Sequence, residues 1–321
     1  MRRCKRRVLA RLCDIGPAPN AVFGHDSNDE QGKKMIIERK AYAKINLGLD
    51  VTAKREDGYH IVRMIMQNVD LFDTLTFEDT PEGEITLTAS SPKIPTDDSN
   101  LICKVARQLK EKYGVKKGVK VDLVKRIPVA AGMAGGSTDG AAAYIALNEL
   151  WELGLDTETL CELAVKLGAD IPYCIVGGTA LAEGIGEELT QIGNMPDCKI
   201  VIAKPDIDVS TGWVYKELDS KEIDDHPDID GIRSAIESGN LKEMCELIGN
   251  VLEPVTATRY EVIGQIEEIM RRSGALGAFM TGSGPTVFGI FDNEETAKGA
   301  FEAVKKSELA PEAFLTGPIR P

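Results

Sequence analysis

Residues 130–143 read AAGMAGGSTDGAAA, a run with almost no apolar bulk inside a chain of 321 residues. Such a segment fills no core, so it is either a flexible linker or a place where backbone comes close to something. Its neighbours decide between the two. GVKVDLVKRIP, before it, reads as a strand ending at Pro128, and residues 137–153, after it, have helical character with Gly154 just past the end. Strand, small-residue loop and helix make a useful combination. Glycines accept φ > 0 and admit close backbone approach. The first N–H groups of the helix lack intrahelical partners, and aligned peptide dipoles leave that end partly positive. The result is a cradle for phosphate, with Ser137 and Thr138 placed to cap the helix, touch phosphate or ligate magnesium. Neither G-x-G-x-x-G nor the Walker pattern is present, since no lysine precedes Ser137 or Thr138. Close helix–strand packing is the competing use of the same glycines.

The rest of the chain reads as α+β in two halves. Residues 35–77 are β-rich, with apolar stretches near 36–37, 45–51, 61–66 and 71–77, broken by a turn at KREDGYH. GEITLTAS alternates as a further strand. An amphipathic helix is expected over 100–113 with Asp98 or Ser99 as its cap, and another in DTETLCELAVKLG with Asp156 as cap. GGTALAEGIGEEL reads as a strand and a turn, and loop composition near 193–196 marks a boundary. Beyond it lie a strand in CKIVIAKP, a helix in STGWVYKEL and a helical region over 232–272. Two strands in GALGAFMTGSGPTVFGIF and a closing helix in EETAKGAFEAVKKS complete the chain.

A net charge of −13 argues against general nucleic-acid or anionic-membrane binding and leaves room for a local pocket for a phosphorylated small molecule. The seven cysteines are scattered without a C-x-x-C pair, and the three histidines lie far apart. A disulfide framework and a zinc site are therefore not expected, and a reducing cytoplasm fits best. Residues 1–34 begin basic and acid-free, then take loop composition. They faintly resemble a transit peptide, but the preferred reading is a disordered extension or an upstream start codon called in error.

Three further spots carry polar chemistry. In AYAKINLGLDV, Lys44 and Asn46 share a strand face, which is a polar site or else a solvent-exposed edge. In KLGADIPYCIVGG, Pro172 fixes the turn that carries Asp170, a carboxylate that either caps a chain end or takes a proton from a substrate hydroxyl. In REDGYHIV, Tyr59 and His60 are an ordinary hairpin pair or a stacking and edge-bonding pair for a planar base.

Taken in order, Lys44, Asn46, Tyr59, His60, the 130–143 loop, Asp170 and MTGSGPTVFGIF closely resemble the GHMP kinase superfamily, over residues 35–321. AKIN…DGYH is the most specific part and narrows the likeness to kinases of the non-mevalonate isoprenoid pathway. The resemblance implies a ribosomal-protein-S5-like ATP-binding domain over 35–192 and a ferredoxin-like domain over 193–321. It implies transfer of the γ-phosphate of ATP, with Mg2+, to the 2-hydroxyl of a cytidine-diphosphate-linked methylerythritol, by a monomer or a homodimer. Asp170 matches the family's catalytic base and Lys44 the lysine beside it. Asn46, Tyr59, His60 and Thr211 match substrate-side residues. The ATP loop would comprise Pro128, Val129, Ala130, Ala131, Gly132, Met133, Ala134, Gly135, Gly136, Ser137 and Thr138. Gly282, Ser283 and Gly284 match a supporting motif. The commoner loop is P-x-G-A-G-L-G-G-G-S-S-D, so Ala130 and Ala134 stand where the family has glycine. Added methyls conflict with φ > 0, and both alanines are therefore expected at φ < 0. A mevalonate or homoserine kinase would lack the need for Tyr59–His60, and a dead ligand-binding relative would not keep both Lys44 and Asp170.

Overall fold

The computed structural model describes residues 35–320, apart from positions 82, 222 and 224. The expectations for residues 1–34 lie outside the described residues. The four apolar stretches at the start form two long antiparallel strands, β1 (Ile36–Lys54) and β2 (His60–Thr80). They join through a tight turn in which Gly58 sits at φ 89°. The register shifts three times, between Tyr42 and Lys44, Asn46 and Gly48, and Val51 and Ala53. Each shift bends the ribbon and re-aims its side chains. The first two bracket Lys44 and Asn46.

The strands β3 (Ile85–Ala89), β4 (Gly118–Val124), β5 (Thr179–Glu183) and β6 (Glu188–Gln191) extend this ribbon. They give a six-stranded sheet in which β3-β4-β2-β5-β6 lie in order and β1 pairs with β2. The helices α1 (Leu101–Tyr113), α2 (Gly135–Leu150), α3 (Thr157–Ala164) and α4 (Ile171–Val176) belong to this half. The α1 cap is Asn100, whose side chain accepts the Ile102 N–H, one or two residues later than expected. Helix α2 begins at Gly135 rather than Ser137. It is buried nearly all round, against β1, α1, α3 and α4. That explains Ala141, Ala142, Ala143 and Ala146, because small side chains let neighbours approach a central helix closely.

In the second half, β7 (Lys199–Lys204) leads through α5 (Thr211–Leu218), α6 (Ile229–Glu237), α7 (Leu241–Leu247), α8 (Glu253–Arg259) and α9 (Val262–Arg272). Then follow β8 (Gly277–Met280), β9 (Val287–Phe291), α10 (Glu294–Ser307) and β10 (Glu312–Thr316). The four strands run β10-β7-β9-β8 in an antiparallel sheet, the strand order of a ferredoxin-like domain. The strand β10 was not anticipated, because its residues are all half-buried and show no alternation. The 232–272 region is four helices. Asn240 caps α7, and Pro254 sits in the first turn of α8.

The apolar clusters do not respect the boundary near residue 193. One gathers Ala43, Ile45, Leu47 and Ile65 from the large sheet with Ile200, Ile202, Phe288 and Ile290 from the small one, and α6 closes it. Another joins Met64, Met66 and Tyr173 to Val255, Ile263 and Met280. The two sheets are thus held against each other by continuous core, which matters because the cleft described next is walled by both. No helix among the described residues is long and apolar enough to cross a membrane.

Candidate active site

A cavity of about 890 Å³ is walled by the glycine-rich loop, by Lys44, Asp170 and Lys125, and by Tyr59, His60, Thr211, Tyr215, Gly282 and Ser283. Residues dispersed across more than two hundred positions of sequence therefore share one space. Its volume lies in the range of small-molecule and cofactor sites.

Lys44 is 4% exposed, and its Nζ donates to Asn46 Oδ1 at 2.6 Å. The solvent-edge reading of this pair is excluded. Asn46 is buried and does not wall the cavity. Its Nδ2 meets Met64 Sδ at 3.4 Å, and its backbone N–H donates to Thr281 Oγ1 at 3.0 Å. Asn46 thus ties Lys44 to the strand end that leads into Gly282.

Asp170 stands at the start of α4 but makes no side-chain cap hydrogen bond. The capping alternative is therefore excluded, and the carboxyl group is left to the cavity. Among the described residues no direct ion pair joins it to Lys44, yet the two act on one neighbourhood. Burial and then the Asp170 charge push the Cys174 thiol up, while Lys44 opposes them. Burial and Asp170 likewise push the Tyr215 hydroxyl to about 12.

The loop overturns one expectation. Ala130 and Ala134 both lie in the left-handed region, at φ 53° and 57°, with Gly132 between them at 70°. The reason is tertiary. A Cβ on Gly132 would fall 2.5 Å from the Thr281 carbonyl oxygen, and one on Gly282 would fall 2.8 Å from the Gly132 carbonyl oxygen. The two glycine segments touch backbone to backbone, and that contact dictates the path of the loop. Ala130 is exposed and Ala134 half-buried, so their methyls find room and only the intrinsic backbone penalty remains, about 1–2 kcal/mol each. Close approach is thus reserved for Gly132, while Ala134 accepts the turn that opens α2.

Beneath the loop sits a network that the sequence reading missed. Lys125 Nζ bonds Asp73 and also Asp139 Oδ2, the latter at 2.9 Å. Asp73 Oδ1 accepts the N–H groups of Arg126 at 2.5 Å and Ile127 at 2.9 Å. All three side chains are at most 6% exposed. Burial raises Asp139 to about 8 although Lys125 opposes the shift. Burial lowers Lys125, but the two carboxyl groups outweigh it and the net shift is upward. The available signal was the acid directly after Ser137–Thr138, at the fifth position of a helix that is otherwise mostly apolar. Ser137 walls the cavity. Thr138 is buried behind it, and its hydroxyl donates to the Tyr42 carbonyl at 2.8 Å.

At the far end, Tyr59 is 57% exposed and walls the cavity beside His60. The His60 ring packs on Tyr215, centroids 4.7 Å apart, and His60 Nε2 lies 2.7 Å from Asp219 Oδ1. Thr211 Oγ1 and Ser283 Oγ are 2.9 Å apart, which links α5 to the supporting motif. Tyr215 and Asp219 escaped the sequence reading, although Thr211, Tyr215 and Asp219 follow at the four-residue spacing of one helix face.

Family models for the GHMP kinases match in two places, the N-terminal domain at residues 100–178 and the C-terminal domain at residues 232–309. The chain belongs to the GHMP kinase family. A protein of Caldicellulosiruptor bescii named 4-diphosphocytidyl-2-C-methyl-D-erythritol kinase is 52% identical over 84% of this chain and 94% of its own length. A protein of the same name from Lachnospira eligens is 47% identical over 89% and 99%. A crystal structure of a 4-(cytidine 5'-diphospho)-2C-methyl-D-erythritol kinase superposes with a TM-score of 0.75 at 32% identity, covering 88% of this chain and 99% of that one. A homoserine kinase from Cytophaga hutchinsonii shares the fold at 16% identity, with a TM-score of 0.71.

Proposed function

We propose that the protein transfers the γ-phosphate of ATP to the 2-hydroxyl of 4-diphosphocytidyl-2-C-methyl-D-erythritol, a step in non-mevalonate isoprenoid precursor biosynthesis. One observation carries the reading. A single cavity runs from a helix-opening glycine loop, past an uncapped aspartate and a buried lysine, to an aromatic group of Tyr59, His60 and Tyr215. The shared name of the relatives supports the same substrate.

The chemistry is placement and electrostatics. The loop amides and the α2 N-terminus take the triphosphate, with Ser137 at the mouth. Asp170 accepts the proton of the attacking hydroxyl as its oxygen bonds to the γ-phosphorus and the bond to the bridging oxygen breaks. Lys44, held by Asn46, sits where it balances charge on the transferring group. No cluster of three or more His, Cys, Asp or Glu among the described residues forms a metal cage. The residues present fit an ion that arrives on the nucleotide, with the Ser137 hydroxyl as its protein ligand. Such an ion would neutralise phosphate oxygens. Residues 35–192 form the nucleotide-binding half and residues 193–321 the second half, which lends Thr211, Gly282, Ser283 and Gly284. The setting is cytoplasmic, a reading supported by seven scattered cysteines without a C-x-x-C pair.

Coupled measurement of ADP release with and without the cytidyl substrate tests the reading. Release that depends on that substrate, and not on mevalonate or homoserine, is the expected result. Absence of release at any substrate concentration would falsify it.

A further inference from the structure

The aspartate behind His60 has no part in the mechanism above. Asp219 lies at the C-terminal end of α5, its side chain 29% exposed. Its two carboxylate oxygens have different partners, since Oδ2 takes Lys54 Nζ at 2.5 Å and Oδ1 faces His60 Nε2 at 2.7 Å. Hydrogen bonds from Lys54 and His60 hold the carboxyl below its ordinary range, so it is ionised. An ionised carboxylate only accepts, so the proton of the imidazole is on Nε2. In the neutral ring Nδ1 then carries a lone pair, and it has no partner among the described residues. The ring cannot readily turn over to exchange its nitrogens, because it is 12% exposed and packed against Tyr215.

The consequence concerns which pyrimidine the aromatic end of the cavity accepts. Cytosine carries an exocyclic amine, a donor, where uracil carries a carbonyl oxygen, an acceptor. A lone-pair nitrogen attracts the first and repels the second. We propose that Asp219 is a positioning residue that sets base preference: by accepting the hydrogen bond of the His60 Nε2–H it leaves Nδ1 to accept from an exocyclic amine, and so favours a cytidine over a uridine diphosphate group. The inference rests on the substrate class proposed above and deepens it.

Calorimetric titration of CDP and UDP into the full chain tests it, on wild type, Asp219→Ala and Asp219→Glu. The wild type is expected to bind CDP about tenfold or more tightly than UDP, the scale of one mismatched polar contact. In Asp219→Ala the ratio falls to about threefold or less, through weaker CDP binding with UDP little changed, and Asp219→Glu restores part of it. A purely structural role would weaken both nucleotides together and keep the ratio, which would overturn the inference. Heteronuclear NMR of isotopically labelled histidine gives an independent reading, because wild-type His60 should show an unprotonated Nδ1 and a proton there overturns the proposal. The failure of the substrate assignment looks different. In that case the cytidyl substrate elicits no ADP release from the wild type, whereas failure of this inference alone leaves that release intact.

Discussion

The two ends of the cleft are built from different materials. The loop end is backbone: Gly132 meets Thr281 and Gly284, the first N–H groups of α2 lack intrahelical partners, and a buried Lys125–Asp73–Asp139 network holds it from behind. The aromatic end is side chain: Tyr59 from the hairpin, Tyr215 and Asp219 from α5, all reachable by solvent or half-buried. A backbone site recognises what all its ligands share, a run of phosphates, and tolerates little change in its own path. A side-chain site recognises a particular group and can be altered without touching the fold. Between them, Lys44 on β1 and Asp170 at the start of α4 are side chains of the first half, and Asn46 links Lys44 to Thr281 of the second.

Substitutions that strike the two ends separately sharpen that contrast. The largest effect belongs to the middle. Asp170→Ala should lower kcat by about 10²–10⁴-fold, the usual worth of a general base, while equilibrium binding of ATP survives. Rapid-quench kinetics beside nucleotide titration checks this, and near-wild-type turnover removes Asp170 from the role. Lys44→Ala should also act on kcat, beyond any weakening of binding. Gly132→Ala comes next. Its Cβ would meet backbone 2.5 Å away, so a loss of about 2–4 kcal/mol in chemical denaturation is expected, with impaired ATP binding. Tyr215→Ala should leave the KM for ATP nearly intact and raise the KM for the cytidyl substrate by about tenfold, the value of one stacked ring. If it raises both KM values equally, the two ends are not separable.

A pH experiment examines the network under the loop. Asp139 is raised from 3.8 to about 8, so the folded state holds its proton more tightly than the unfolded chain does. That contribution is complete at low pH and is lost as pH rises from near 3.8 through about 8. Asp139→Asn should therefore flatten part of the decline in melting temperature over that window, and an unchanged pH profile would contradict the raised value. The smallest effect is expected at Ala134→Gly. The glycine relieves the left-handed penalty but adds freedom to the unfolded chain, so stability should shift by about 1 kcal/mol or less. A large loss there would show that the Ala134 methyl is itself a contact.

Much of this was legible in the residues. The strand–loop–helix around 130–143 was readable because turn chemistry and helix periodicity are local. Asp156 caps where the sequence places it, and Tyr59 and His60 follow a tight turn as anticipated. The unread parts all depend on partners distant in the chain. Asn46 looked like a residue facing a substrate and instead bridges Lys44 to Thr281, 235 positions away. Thr138 looked like a phosphate ligand, and its hydroxyl donates to Tyr42. Asp73 showed no motif at all, yet it receives Lys125 and two backbone N–H groups.

The amino-acid sequence by itself determined the elements, the glycine cradle and the set of reactive side chains, because propensity, capping and periodicity act over a few residues. Tertiary structure alone decided how the cradle is shaped. Ala130 and Ala134 take a conformation that their side chains disfavour by about 1–2 kcal/mol each. They do so because the backbone contact of Gly132 with Gly282 and the buried ion network leave the loop no other path. A local preference of that size yields to packing between two halves of a chain, and only the folded molecule shows where it does.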